Sequence, residues 1–491
     1  MKRQIPLIFS FILLSVFLIS CQKETTTKDV SKVADLNGSS VAVITGSTQD
    51  LLVSEEAPGA NILRLSSPAE LLLAVESGRA EYTVIDEISI ITVDLEERGL
   101  KNCFPCGSTF DICFGFNKEA GKDLCRQYNE FQSELKKSGE FDVIFNRWMT
   151  KHIDTVHNIN LDLPQNGDPI IVGTMGGDMP LSFIKDNEWA GLEIEILERF
   201  SQHIGRPIIF QNYEFSGMIA ALSTNKIDII AACIANTEER AKKVLFSDPY
   251  FKGSSFCFSH IKSSNDNLQV GFFSKLSTGF KKNFIEEDRW ILIFQGLKET
   301  IVISFSALVL GTILGAGLCL LRMSKKKFLR NLAKVYIELM RGIPILVFLM
   351  IMFYVIFASS GLSATGVAIF AFSLNLAAYV CEMFRTGIES IDKGQTEAGR
   401  AMGFSKVKCF MLIVVPQAVK RILPVYKGEA ISLIKSTSIV GYIAIQDLTK
   451  ISDIIRSRTF DAFYPLILVS LIYLLIAWLL GFILDRISSK I

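Results

Sequence analysis

From residue 34 to about 260 the apolar positions come in short runs, some β-rich and some with helical spacing. Val41–Ile44 is followed by the helical stretch Ala69–Glu76 and then by Tyr82–Ile85. The rhythm returns as Ile170–Gly173, Leu192–His203, Pro207–Phe210, Ile219–Leu222 and Ile227–Ala232. Alternation of this kind predicts an α/β region, a parallel or mixed sheet covered by helices. Between the two series lies a polar segment, roughly Lys151–Asp168, whose Pro164, Asn166 and Gly167 break regular structure.

From residue 290 onward the polar spacing disappears. Thr300–Leu321 is a run of 22 uncharged residues, Gly342–Cys381 a run of 40 broken near Ser359-Ser360-Gly361, and Ala462–Leu484 a run of 23. A helix needs about 20 apolar residues to cross a bilayer. The longest run therefore predicts two passes joined by a tight turn, giving four spans in all. A fifth, weaker span is expected around Glu429–Gln446, where Glu429 and Lys435 interrupt the pattern. Basic residues follow the first span (Arg322, Lys325, Lys326, Lys327, Arg330, Lys334) and the third (Arg385 to Lys427). Positive charge marks the cytoplasmic side, so the α/β half is expected outside.

The N-terminus agrees. Lys2 and Arg3 precede an uncharged apolar stretch, Ile5–Ser20, which ends Leu18-Ile19-Ser20-Cys21. This string resembles a bacterial lipobox, which implies removal of residues 1–20 and lipidation of Cys21. A plain signal anchor with an incidental cysteine is the other reading. Residues 21–33 form a polar tether.

Composition narrows the function. The chain has 491 residues, 49% hydrophobic and 21% charged, with mean hydropathy +0.36. With Lys+Arg 51 against Asp+Glu 50, the basic excess of a nucleic-acid binder is missing. The four histidines lack metal-ligand spacing, and the ten cysteines form neither a zinc ribbon nor a disulfide framework. Cys103-Phe104-Pro105-Cys106 opens no evident helix, so an exported structural disulfide, with Cys113 or Cys125 as candidate partners, is expected over redox catalysis. No phosphate-cradling loop is present: Gly121-Lys122 is followed by Asp123 where Ser or Thr is needed, and Gly115 is one position off.

The cytoplasmic loop carries the most specific string, Gly394-Gln395-Thr396-Glu397-Ala398-Gly399-Arg400-Ala401-Met402-Gly403-Phe404-Ser405, with nine residues separating Gly403 from the start of Ile413-Val414-Val415-Pro416. Physically it reads as two short amphipathic helices meeting at Gly403, which permits a sharp, left-handed turn. The string resembles the EAA loop of type I ABC importer permeases, the polar amino-acid subgroup in particular. The resemblance covers about residues 290–490 and includes Glu338–Leu346, Ala378–Ile388 and Lys435–Val440. It implies an all-α transmembrane domain of five helices at 290–491 and a pair of permease copies. It also implies a cytosolic ABC ATPase, holding ATP and Mg, seated on Glu397, Ala398, Gly399 and Gly403. Gly399 departs from the commoner Ala, and Val415 from the commoner Leu.

The exported half resembles family-3 amino-acid-binding proteins, two-lobed α/β clamshells, with its pieces out of order. Residues 168–260 match the opening lobe through Ile171–Thr174, Gly191–Glu195, Phe215–Ile219, Thr237–Arg240 and Phe246–Tyr250. The second lobe, Asp35–Val43, Thr45–Thr48 and Tyr82–Glu87, comes earlier, followed by the closing segment through Gly139–Trp148. Circular permutation accounts for one copy of each piece; two truncated lobes left from a decayed tandem pair are the other reading. The expected division is a solute-binding domain at 34–260, with 34–100 as one lobe and 101–150 plus 168–260 as the other, then a linker at 261–289.

A zwitterion receptor needs a guanidinium and helix-start N–H groups for the carboxylate, and an acid for the ammonium. The resemblance assigns Arg240, with Thr237, to the first, Ser47 and Thr48 to the helix start, Asp86 to the ammonium and Phe215 to the ligand side chain. Ala235 stands where a hydroxyl is usual, Cys233 where Gly is common and Met175 where Asp is frequent. Asp178 replaces an aromatic at the mouth, either as a partner for a cationic side chain or as a solvated loop aspartate. The function implied is ATP-driven import of a polar amino acid or related small zwitterion across a bacterial cytoplasmic membrane by a non-enzymatic, multi-pass subunit. A ligand-gated channel or sensor on the same clamshell is the alternative, but it leaves the cytoplasmic loop without a purpose. An exported lyase leaves the spans unexplained.

Overall fold

The computed structural model describes residues 30–96, 98–150, 153–260, 277–358 and 360–490. Cys21 and the signal segment lie outside the described residues, as does most of the linker.

The first half alternates as expected: β1 (Ser40–Ile44), α1 (Thr48–Glu56), β2 (Asn61–Leu65), α2 (Pro68–Glu76), β3 (Tyr82–Asp86), β4 (Leu100–Asn117), α3 (Lys122–Lys137) and α4 (Glu140–Trp148). After the polar segment come β5 (Ile170–Thr174), β6 (Gly177–Asp178), β7 (Ser182–Lys185), β8 (Glu188–Ala190), α5 (Leu192–Ile204), β9 (Ile208–Asn212), α6 (Phe215–Ser223), β10 (Ile229–Ala235), α7 (Glu238–Ala241), β11 (Val244–Phe246) and β12 (Phe251–His260). Helix starts are specified locally. The Ser47 hydroxyl accepts from Asp50 N–H at 3.1 Å, and Ser67 caps α2 with Pro68 in the first turn.

Nine strands form one mixed sheet in the order β2-β1-β3-β12-β4-β10-β5-β9, with β11 also on β4; β6, β7 and β8 make a small antiparallel sheet. β4 and β12 run antiparallel through its middle, from Ile112 beside Phe251 to Leu100 beside His260. At 18 residues, β4 reaches up to about 60 Å and so serves two cores. One core packs Ile112, Phe114, Tyr128 and Trp148 with Val172, Leu197, Phe200 and Ile229. On the other side of the long strands, two smaller clusters pack residues from 33–106 with Cys257 or Phe258. Residues 101–150 are thus shared between cores, their C-terminal part packing with the 170–251 segment. β10, flanked on both edges and both faces, reads as a continuous apolar run because neither face meets water.

The described cysteines are all unpaired. Cys103 and Cys106 approach Cys257 on the neighbouring strand rather than Cys113 or Cys125, because β4 sets its CxxC string against β12.

The second half is helical: α8 (Trp290–Arg322), α9 (Lys327–Gly342), α10 (Ile345–Ile351), α11 (Ala364–Glu389), α12 (Lys393–Ala401), α13 (Lys406–Cys409), α14 (Val415–Ser436), α15 (Leu448–Thr459) and α16 (Phe463–Lys490). Among the described residues, four stretches are long and apolar enough to cross a membrane: α8, α11, Lys406–Ile443 and Phe463–Ser488. A fifth arises only if α9 and Ile345–Ile356, bent by 106°, are taken together. Two expectations change. The run Gly342–Cys381 does not make two equal passes. Its first part is seven residues of α-helix and five of π-helix, turned off α9 where Pro344 forces Ile343 into an extended conformation. The span expected at Glu429–Gln446 is present but longer, as the C-terminal part of the 38-residue stretch Lys406–Ile443. Its Glu429 is tolerated because it lines an internal cavity rather than lipid.

Candidate functional site

The cleft lies where the long strands join the two cores. α7 is a single turn whose cap, the Thr237 hydroxyl, accepts from Arg240 N–H at 3.3 Å and so aims the arginine inward. The Arg240 side chain is buried. Its Nη1 donates to Ala235 O at 3.2 Å and its Nη2 to Gly46 O at 3.0 Å, just before the start of α1. One guanidinium therefore ties the two cores together beside Ser47 and Thr48. The Phe215 ring lies under it, 5.2 Å from centroid to guanidinium carbon, a favourable cation–π distance.

Asp86 ends β3 and faces the same space. It accepts from Gln49 Nε2 and, at 3.1 Å, from the Ser255 hydroxyl, while Gln49 also donates to Ser255 at 2.8 Å. Asp178, on β6 opposite Ser182, is only 3% exposed, and its Oδ1 has no hydrogen-bond partner among the described residues. The solvated-loop alternative for Asp178 is therefore wrong: the β6–β7 hairpin folds it inward. Glu193 is fully buried. Its Oε1 accepts from the Tyr250 hydroxyl at 2.6 Å and from Cys233 N–H at 3.0 Å, while its Oε2 is unpartnered.

Burial pushes Asp86 up to about 7; the Asp178 charge adds to the rise, while Ser255 and Arg240 oppose it. Burial likewise raises Asp178 and Glu193 to about 7, and it lowers Arg240, with Asp86 opposing. An acid raised on folding contributes most to stability below its unfolded pKa, and loses that contribution as pH climbs through the folded value. The thermal midpoint of the ligand-free protein is therefore expected to fall between about pH 4 and about pH 7 and to level off above. Asp178→Asn should flatten that fall in a fluorescence-monitored melt; an unchanged slope would remove Asp178 from the titrating set.

The structure thus brings Arg240, Phe215, Asp86, Asp178 and the Ser47–Thr48 helix start to one place, with Thr237 acting on Arg240. Sequence reasoning missed Gln49, Ser255 and Tyr250. Gln49 was within reach, as the next residue after the helix-start pair. Ser255 was not, because only the β3–β12 pairing sets it against Asp86.

A second feature joins the two halves of the chain. Lys450 of α15 pairs with Glu214 at the start of α6, and Arg456 pairs with Glu70 in the first turn of α2. Between them, Ser457 meets Ser67 at 3.5 Å, and Lys226 Nζ reaches Phe357 O at 2.5 Å. One short helix of the membrane domain therefore holds a carboxylate from each side of the cleft.

Deeper in the helices is a cavity of about 350 Å³ lined by Arg341, Pro344, Asn375, Tyr379, Glu429 and Ser432 among others. At the end of the helices remote from the sheet, α12 and α13 meet at Gly403, whose φ of +88° is one that an L side chain adopts with strain. Gly399 is buried, and a Cβ there would lie 2.5 Å from Ile413 Cδ1 and 2.9 Å from Cys409 Sγ, which accounts for its departure from Ala. Glu397 and Ala398 are exposed, and Met402 and Val407 present 70% and 71% of their surface.

Comparison with known proteins gives two family matches. Residues 307–491 match the binding-protein-dependent transport system inner membrane component family, and residues 170–397 match the bacterial extracellular solute-binding proteins, family 3. The second match opens at β5 and runs on into the membrane helices. Among relatives, a probable amino-acid ABC transporter permease protein, YckA of Bacillus subtilis, is 38% identical over 37% of this chain and 80% of its own length. A putative glutamine transport system permease protein, GlnP of Rickettsia bellii, is 34% identical over 41% and 93%. The L-cystine transport system permease protein TcyB of Bacillus subtilis is 33% identical over 44% and 92%. The chain belongs to the amino-acid ABC transporter permeases, transport subunits rather than enzymes, and carries a family-3 solute-binding domain fused ahead of its membrane helices.

Proposed function

We propose that this chain imports a polar amino acid as a combined receptor and permease, driven by a separate cytosolic ABC ATPase that holds the ATP and Mg. Residues 34–260 are the receptor, 261–289 the linker and 290–491 the permease. Arg240 and the α1 start take the ligand carboxylate, Asp86 its ammonium, and Phe215 packs on its side chain. Two copies of the chain form the path, and the cavity at Arg341 and Glu429 lies along it. The loop from Glu397 to Gly403 seats the ATPase, a role that suits its exposed Met402 and Val407. Lipidation of Cys21 gives the receptor a second anchor.

The receptor is read as a circularly permuted clamshell, with 34–100 as one lobe and 101–150 plus 168–260 as the other. Two facts support that reading. The family-3 match opens at Ile170 rather than at residue 34. The core around Trp148 also draws on both residues 112–156 and residues 170–251, as expected if these were once contiguous at a different cut. The receptor meets the helices near Phe357 and α15, away from the basic segments after α8 and α11. That arrangement supports an outside receptor by the charge rule.

The observation that carries the function is the pairing of both sides of the cleft with α15. Lys450 and Arg456 are six positions apart on a rigid helix, so Glu214 and Glu70 meet them together only at one separation of the lobes. α15 is then the element through which closure on a ligand reaches the membrane domain. Because the receptor is tethered, its effective concentration at α15 is about millimolar, and a weak contact is enough. Arg456→Glu sets two carboxylates face to face. It should leave ligand affinity within about twofold, because additivity holds for sites that share no partners. It should also abolish the stimulation of ATP hydrolysis and uptake by ligand in proteoliposomes holding the cognate ATPase. Full stimulation in that variant would reject α15 as the coupling element.

A further inference from the structure

The charge inside the cleft does not balance for a neutral amino acid. One guanidinium, Arg240, and three buried or partly buried acids, Asp86, Asp178 and Glu193, surround Cys233, and of the three only Asp86 acts directly on Arg240. Glu193 is held by Tyr250 and Cys233, and Asp86 by Gln49 and Ser255. Glu193 keeps an unpartnered Oε2, but Asp178 is held least: it is 97% buried, no described cation pairs with it, its hydrogen-bonding neighbour is Ser89 alone, and its Oδ1 is without a partner. It lies close enough to act electrostatically on Asp86, Glu193 and Cys233, so it belongs to the same enclosure.

We infer that the ligand is an α-amino acid with a cationic side chain, of the lysine, ornithine or arginine class, and that Asp178 is the side chain's partner. This rests on the reading of Arg240 and Asp86 as the zwitterion site. A zwitterion brings one charge of each sign, satisfies Arg240 and Asp86, and leaves the acid surplus as it was. A further ammonium or guanidinium on the ligand supplies a cation to Asp178 and reduces the acid surplus from two to one. An unpaired buried carboxylate is costly, whereas a charge-assisted pair in the same place is among the stronger polar contacts. Arg240 still offers donors beyond the two it gives to Ala235 and Gly46, so a carboxylate is part of the preferred ligand. That sets a diamino acid apart from a simple diamine.

The test is calorimetry on the full chain in nanodiscs with four probes: arginine, its neutral isostere citrulline, lysine, and cadaverine, which is lysine without the carboxylate. Arginine should bind about tenfold to a hundredfold more tightly than citrulline, the range expected for one charge-assisted contact. Lysine should exceed cadaverine by at least as much. Asp178→Asn should bring arginine and citrulline within about threefold of each other. Citrulline binding as tightly as arginine overturns the cationic side chain while leaving the zwitterion site intact. Cadaverine matching lysine, or no binding by any probe, overturns the zwitterion site itself. The wild-type panel decides between these outcomes whether or not the variant folds.

Discussion

Arg240→Ala is expected to weaken amino-acid binding by about tenfold to several hundredfold, because hydrogen bonds to charged groups are worth about 1.5–3 kcal/mol and this side chain is placed to make more than one to a carboxylate. Three losses coincide. The ligand carboxylate loses its guanidinium. The bond from Arg240 to Gly46 O, which joins the two sides of the cleft, disappears. Asp86 is left beside Asp178 without the cation that opposes its rise. Arg240→Lys should fall between wild type and alanine, since an ammonium keeps the charge but cannot present a planar fork. Calorimetry on the full chain in nanodiscs measures both. Unchanged affinity in the alanine variant would move the carboxylate site elsewhere and remove the ground for Asp86 as well.

Gly403→Pro is expected to reduce ATP-driven uptake to background while leaving ligand binding intact. Proline holds φ near −65°, and the turn between α12 and α13 needs +88°. The substitution also deletes the N–H that Gly403 donates to Arg400 O at 3.0 Å, and it disturbs the Phe404 N–H to Gly399 O bond beside it. The two short helices would leave their relative angle and the knuckle would lose its shape. The cleft, at the far end of the helices, shares no residue with this turn. The experiment pairs ligand binding with uptake in proteoliposomes containing the cognate ATPase. Normal uptake in the variant, or uptake with no ATPase present, would overturn the importer reading in favour of a channel.

Local periodicity and desolvation made much of this protein legible without coordinates. Each β-rich run at 41–44, 82–85, 170–173 and 207–210 lies within or overlaps a strand, because strand and helix spacing reflect which face is buried over a few residues. The uncharged runs became long helices because a backbone in lipid must satisfy its own hydrogen bonds. Gly403 could be named because a left-handed turn between two helices has few other occupants. The receptor and permease halves were readable from strings whose residue types and spacing are imposed by local geometry.

What lay beyond the sequence was pairing across distance. That β4 and β12 run together and serve two cores, and that β12 also pairs with β3 and sets Ser255 against Asp86, depends on strand neighbours more than a hundred residues apart. The burial of Asp178 follows from how a short hairpin folds back over the sheet, and no run of residues around it announces that. The shortness of the Ile345–Ile356 segment came from one proline turning the chain through 106°, in a run whose length alone allowed two full passes. The role of α15 was hidden most completely. Lys450 and Arg456 look like ordinary solvated charges in sequence, and only the docking of two lobes gives each a partly buried carboxylate. Spacing along a chain records which side of an element is dry; which partner covers that side is decided by the tertiary fold.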